Sequence, residues 1–462
     1  MWSYKLVAPM HFLEIAWYRL VMLTRKGEIM NINWTINDLG LPGVSGEESL
    51  LARVKNLPLT FAEISQLSGR ADRIGVTRAF RKVIETFPVP EQEIPAGFKV
   101  VLSFAERVLR VDLVRDISYD KNNCLRPTKV LFSADSANPY EIAPIRDYIA
   151  NLTCNPGIIY DLFINNPDAN VGNHFKTRDE VMAEIGRILG SGADISVELN
   201  DPFGKSDSEL LEEAEKFREM LSEYRVVIKV PHTGVVNANN VGNLLAGDKR
   251  LNMHYNSPAT EDAFRGHRLA LLLREHGFRV NFTLMFEPWQ AALALQARPY
   301  FINSFIRHRL IQSKTIDHYL KLYQNTADKK YLEQLREFMV DKDYLPGNQA
   351  NMDLDTVFNE AESILKHRQF RTHEGADGLD AVRQNLRLLR ESNLPDTRLI
   401  VCSIDGNDNY PDIDRLLSTN QYSDMAGWVV VTAEPRYLAR FTSANQVVSY
   451  QRRFLNAANG MG

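Results

Sequence analysis

From about Lys129 onward, short apolar runs rich in β-branched residues alternate with stretches whose apolar positions recur every three to four residues. The runs are Lys129–Asp135, Ile149–Asn155, Asp194–Asn200, Arg225–Pro231, Arg279–Phe286, Tyr300–Phe305, Arg398–Asp405 and Gly427–Glu434. Helical spacing falls between them, as in Arg178–Leu189, Ser206–Leu221, Thr260–His276 and Ala381–Glu391. Near-continuous apolar runs predict parallel strands covered by helices on their outer face. Eight strand–helix repeats predict an α/β fold, a (β/α)8 TIM barrel, over residues 126–462. Two insertions interrupt the repeat. Val235–Pro258, rich in Asn and Gly, follows the fourth strand. Leu310–Pro395 follows the sixth and carries helical patterns of its own at Tyr331–Val340 and Leu354–His367. Both leave from the C-terminal ends of strands, where barrels of this kind place active sites and lids; a structural or oligomerisation role is the alternative.

Residues 1–125 predict a helical N-terminal extension. Leu59–Leu67, Ile74–Phe87 and Phe98–Leu113 have apolar residues at helical steps, and Pro88-Val89-Pro90 separates the last two. The apolar stretch His11–Leu23 is broken by Glu14 and Arg19 and is followed by no small-residue cleavage site. Neither a signal peptide nor a spanning helix is expected there.

Composition narrows the function more than the fold. A net charge of -4 removes the electrostatic footprint of a nucleic-acid binder, including the helix-turn-helix that the first two helices suggest. Three cysteines without a CxxC pair argue against a disulfide framework or a zinc site and suit a reducing, cytoplasmic setting.

The ends of the runs carry the candidate chemistry. They deliver Asp135, Asn155, Glu198, Lys229, Asn281 with Thr283, Asn303 with Phe305, and Ser403 towards one rim. A side-chain period of two points Asn281 and Thr283 the same way. Lys229 lies inside Val226-Val227-Ile228-Lys229-Val230, where burial is expected to disfavour the ammonium and free a neutral amine. A neutral amine attacks a ketone and forms an imine, which accepts the electrons of a breaking carbon–carbon bond. A lysine ion-paired with Glu198 or Asp135 for structure alone is the competing interpretation. Asp135 and Glu198 can divide the proton transfers, Thr283 can hold a water for Glu198, and Asn155 and Asn281 can orient substrate hydroxyls. No metal and no organic cofactor is called for, because the imine is itself the electron sink.

These residues resemble the transaldolase family, with the related fructose-6-phosphate aldolases. The resemblance runs from about Val130 to about Arg440, insertions excluded. It rests on Phe132-Ser133-Ala134-Asp135, Thr153-Cys154-Asn155-Pro156, Val197-Glu198, Val227-Ile228-Lys229-Val230-Pro231-His232-Thr233, and Asn281 to Phe286 followed by Gln290. It implies a class I aldolase of carbohydrate metabolism, of the pentose phosphate type, transferring a dihydroxyacetone unit between sugars or sugar phosphates. Lys229 would form the Schiff base, Asp135 would be the acid/base, and Glu198 with Thr283 would activate water. Thr153, Asn155, Asn281, Asn303, Phe305 and Ser403 would line the substrate site. Glu at 198 looks more like true transaldolases than the single-substrate aldolases, where Gln is usual. The departures lie in phosphate recognition. Asn303-Ser304-Phe305-Ile306-Arg307-His308-Arg309 shifts the family's arginine by one position, and Ser403-Ile404-Asp405 puts an acid where a base is usual. Either Arg307 and Arg309 bind the phosphate, or the substrate is atypical or unphosphorylated. A non-catalytic barrel is a further alternative. The expected partner is a small molecule, not nucleic acid or membrane, with self-association into a homo-oligomer left open.

Overall fold

The computed structural model describes residues 34–67, 69–87, 89–91, 93–95, 97–122, 124–232, 234–244, 246, 259–345, 350–370, 379–404 and 409–461. Asp405, Thr233 and the stretch 1–33 lie outside them. The described residues fall into two compact units, one ending at Asp116 and one beginning at Ile117.

The first unit is mixed rather than mostly helical. Helices occur at Phe61–Leu67 and Arg78–Thr86, close to two of the expected ones. Two-residue strands β1 (Trp34–Thr35) and β2 (Pro58–Leu59) pair antiparallel. The expected helix at Phe98–Leu113 is instead a hairpin of β4 (Phe98–Ala105) and β5 (Val108–Arg115), and β3 (Arg73–Val76) adds to β5 in parallel. Apolar residues here satisfy a three-to-four step by accident, while every second residue from Leu109 to Leu113 is the buried one. The turn decides the matter. Glu106 and Arg107 both have positive φ, 50° and 62°, the mirror-image turn that suits the strand twist. Arg107 is held in it by a two-bond pair with Asp72.

The second unit is the expected barrel. Its strands are β6 (Leu131–Asp135), β7 (Asn151–Thr153), β8 (Asp194–Glu198), β9 (Arg225–Pro231), β10 (Val280–Thr283), β11 (Phe301–Phe305), β12 (Arg398–Cys402) and β13 (Val429–Ala433). All neighbours are parallel, and β13 closes onto β6. Thr177 with Glu180 and Ser206 with Glu209 form capping boxes that start the helices before and after β8. Along each strand one set of residues enters the helix–sheet core, such as Ile195, Val197, Ile228, Val230, Phe282 and Val401. The alternate set faces the lumen: Ser133 and Asp135, Asn151 and Thr153, Ser196 and Glu198, Val227 and Lys229, Asn281 and Thr283, Asn303 and Phe305.

The sixth-strand insertion resolves into two parts. Helices Arg307–Thr326, Lys330–Asp341 and Leu354–His367 pack on one another around Ile316, Leu335, Met339 and Val357. Helix Asp380–Glu391, read as part of the insertion, buries Leu386 and Leu389 in the barrel's own core and is the crossover to β12. The fourth-strand insertion contributes a short turn at Val241–Leu244 among the described residues.

Candidate active site

Strand register puts the charged residues together. Glu198 on β8 is directly opposite Lys229 on β9, and Lys229 is opposite Asn281 on β10. Lys229 is 5% exposed. Its Nζ lies 3.2 Å from a Glu198 carboxylate oxygen and donates to the Cys154 carbonyl at 3.5 Å. Burial alone would pull the ammonium's pKa down. The nearby Glu198 and Asp135 carboxylates outweigh it, and the net direction is up. The expectation that burial keeps this amine uncharged is therefore corrected: with the site as it stands, Lys229 is a buried ammonium paired with Glu198.

Asp135 ends β6 across the lumen. Burial pushes its carboxyl up to about 6; Lys229 and Arg307 pull it down, and Glu434 and Glu198 add to the rise. That value suits a group which must both take and return a proton near neutrality. Its Oδ1 is buried without a hydrogen-bond partner among the described residues, as is the hydroxyl of Thr153, its register partner on β7. Buried polar atoms are normally satisfied, and a substrate hydroxyl between these two would satisfy both. Thr283 faces the same lumen, buried on β10 two residues beyond Asn281.

Beneath the charged residues runs a polar belt. Asn303 donates to Asn281 Oδ1 at 2.7 Å and also to the Phe282 carbonyl. Asn281 donates to Ser196 Oγ at 3.2 Å, Ser196 to Asn151 Oδ1 at 3.1 Å, and Asn151 to Ser133 Oγ at 2.8 Å. Asn281 and Asn303 were expected as substrate ligands; both already have belt partners. Ser133, Asn151 and Ser196 were missed, although stepping back by two from Asp135, Thr153 and Glu198 reaches all three.

Other expected positions divide. Asn155 caps helix Pro156–Ile159, its Oδ1 accepting from the Ile158 N–H at 2.9 Å, with Pro156 at the first helical position. Phe305 lies on the rim with its ring 4.9 Å from that of Phe286. Ser403 has a φ of 53°, a conformation rare for a residue with a side chain, and its carbonyl accepts from the Arg307 N–H at 2.8 Å. Arg307 stays on the rim: it donates to the Tyr437 hydroxyl at 3.0 Å, stacks over that ring, and lies 3.8 Å from Glu434. Neither Glu434 nor Tyr437 was anticipated.

Arg309 does not face the lumen. It is 2% exposed, pairs with Glu287 at 3.0 Å and bonds Asp380. Arg368, at the end of the inserted bundle, pairs with the same Glu287 at 2.8 Å and donates to the Tyr344 hydroxyl. The expected phosphate ligand is thus part of a buried clip between bundle and barrel. A cleft of about 860 Å³ opens elsewhere, between helices Pro288–Ala294, Leu354–His367 and Asp380–Glu391. It holds none of the lumen residues.

A closed eight-stranded parallel barrel with a lysine between two carboxylates at the C-terminal ends of its strands defines an aldolase-type (β/α)8 enzyme. Residues 132–337 match the family model described as Transaldolase/Fructose-6-phosphate aldolase. Over this segment, from β6 into the inserted bundle, the chain is similar to that family. A search of curated proteins found no match.

Proposed function

We propose that the protein is a transaldolase-type transferase that moves a dihydroxyacetone unit between sugars through a Schiff base on Lys229. The observation that carries this reading is the Lys229 ammonium held 3.2 Å from Glu198 while a second buried carboxyl, Asp135, faces it across the lumen. Lys229 becomes a nucleophile by passing a proton to Glu198. The freed amine adds to the ketose carbonyl, and Glu198 with Thr283 returns protons to the departing water. Asp135 then takes the proton of the hydroxyl at the cleavage point. The carbon–carbon bond breaks, its electron pair enters the iminium as an enamine, and an aldose leaves. The enamine adds to an acceptor aldehyde, Asp135 returns the proton, and water activated by Glu198 hydrolyses the imine. Three unpaired thiols, Cys124, Cys154 and Cys402, support a reducing, cytoplasmic setting.

The test is borohydride treatment in the presence of a ketose donor, followed by peptide mapping. A reduced three-carbon adduct is expected on Lys229 and nowhere else. An adduct on another lysine, or none with any ketose, rejects the mechanism.

A further inference from the structure

Three helices of the second unit begin or end on one group of charges. Glu287 immediately precedes helix Pro288–Ala294, Arg368 immediately follows helix Leu354–His367, and Asp380 is the first residue of helix Asp380–Glu391. Arg309 bonds both Glu287 and Asp380, and Arg368 pairs with the same Glu287. A buried charge network contributes little net stability against well-packed apolar residues, but this one fixes three helices at a set spacing. The cleft of about 860 Å³ lies between those helices. Walls held in place beforehand lower the entropic cost of filling a site. The volume is within the range of roughly 300–1,000 Å³ typical of small-molecule sites.

The lining of the cleft has two chemically distinct parts. One is aromatic and apolar. Trp289, 46% exposed, meets His367 with ring centroids 4.7 Å apart and planes at 65°, and the half-buried Leu388 adds an apolar surface from helix Asp380–Glu391. Two rings at that angle form a corner that a flat ring can enter, its face on one and its edge on the other. The other part is charged. Lys366 and Arg387 supply two cations from different helices, against one carboxylate, Glu391, four residues beyond Arg387 on the same helix face. Guanidinium and ammonium groups donate charge-assisted hydrogen bonds to phosphate oxygens. Inorganic phosphate would use the cations and leave the rings in water, and an uncharged aromatic molecule would do the reverse. We propose that the cleft binds a nucleoside phosphate, with the base in the Trp289–His367 corner, the phosphate on Lys366 and Arg387, and Glu391 accepting from the sugar hydroxyls. None of these residues belongs to the lumen, so the inference stands apart from the Schiff-base reading.

The experiment is calorimetric titration of the full chain with four probes: AMP, ATP, adenosine and inorganic phosphate. AMP or ATP is expected to bind saturably with a Kd below about 1 mM. Adenosine and inorganic phosphate, each lacking half of the recognised chemistry, should bind at least about tenfold more weakly. The same titrations on Trp289→Ala and Arg387→Gln place the ligand. Each change should weaken the nucleotide about tenfold, through lost stacking in the first and a lost charge-assisted contact in the second. Both residues reach solvent, so the variants should keep the unmodified Tm in the absence of nucleotide. If neither nucleotide gives saturable binding up to about 10 mM, far above the expected Kd, the proposal is wrong. If inorganic phosphate binds as tightly as AMP, the rings take no part and the nucleoside assignment fails. If both variants bind AMP as the unmodified chain does, the nucleotide sits elsewhere and the cleft is not its site.

Discussion

Lys229 and Asp135 illustrate how one buried pocket shifts two groups in the same direction for different reasons. The lysine's proton is held because two carboxylates outweigh the cost of burial. The aspartate's proton is held because burial outweighs the attraction of Lys229. Three predictions belong to this scale. Lys229→Met keeps most of the side chain's length and removes the nucleophile, so turnover should fall at least about a thousandfold while circular dichroism is retained. Asp135 has a linkage consequence. Its folded carboxyl binds a proton up to about pH 6, against 3.8 for the ordinary group. The folded state is therefore favoured at pH below the ordinary value, and that advantage is lost as pH rises through 6. At neutral pH ionised Asp135 costs stability, about 3 kcal/mol at most from a shift of this size. Asp135→Asn should abolish turnover yet raise Tm at pH 7, with the gain vanishing near pH 4. A Tm lowered at pH 7 would show that attraction to Lys229 dominates. The unmodified enzyme should lose kcat/KM, which reports the free enzyme, on acidification with an apparent pKa near 6.

At the scale of elements, legibility in the sequence followed the physics of each segment. The eight barrel strands were readable because both of their faces are dry or densely packed, which leaves long apolar runs. The β4–β5 hairpin was not, because its half-exposed faces carry Val, Leu and Phe at steps that a helix also satisfies. Asp135, Glu198 and Lys229 were readable as charges inside apolar runs. Arg309 was misplaced because its sequence position, just beyond β11, is compatible with either the lumen or the bundle. Only its buried partners Glu287 and Asp380, distant in the chain, decide between them. The distinction can be measured. Arg309→Ala leaves two carboxylates buried with less compensation and should cost about 3–5 kcal/mol of stability. A phosphate ligand would instead show its loss in KM with Tm unchanged. Asn281→Ala tests the belt in the same way. It strips Asn303 and Ser196 of a partner and should lower stability by about 1–3 kcal/mol, apart from any effect on catalysis.

Across the whole barrel, one pair of strands carries two ion pairs at opposite ends of the lumen. The β8–β9 register that sets Glu198 against Lys229 also sets Asp194 against Arg225, at 3.0 Å and with side chains 0% and 1% exposed. Burial pushes the Arg225 guanidinium down to about 10. The lower pair lies where strands begin, away from the chemistry, so Asp194→Ala should cost about 3–5 kcal/mol while trapping at Lys229 persists in the folded fraction. Between these pairs the belt crosses the barrel from β11 to β6 with every donor pointing the same way. That polarity constrains which sequences can drift. Position 303 faces two acceptors, the Asn281 oxygen and the Phe282 carbonyl, so aspartate there would meet lone pairs with lone pairs. Positions 133 and 196 carry hydroxyls that give or receive equally, and they can exchange with threonine. Divergence among barrels built on this plan should therefore be one-sided: free at the hydroxyl links, and forbidden at the amide that starts the chain unless its neighbours change with it.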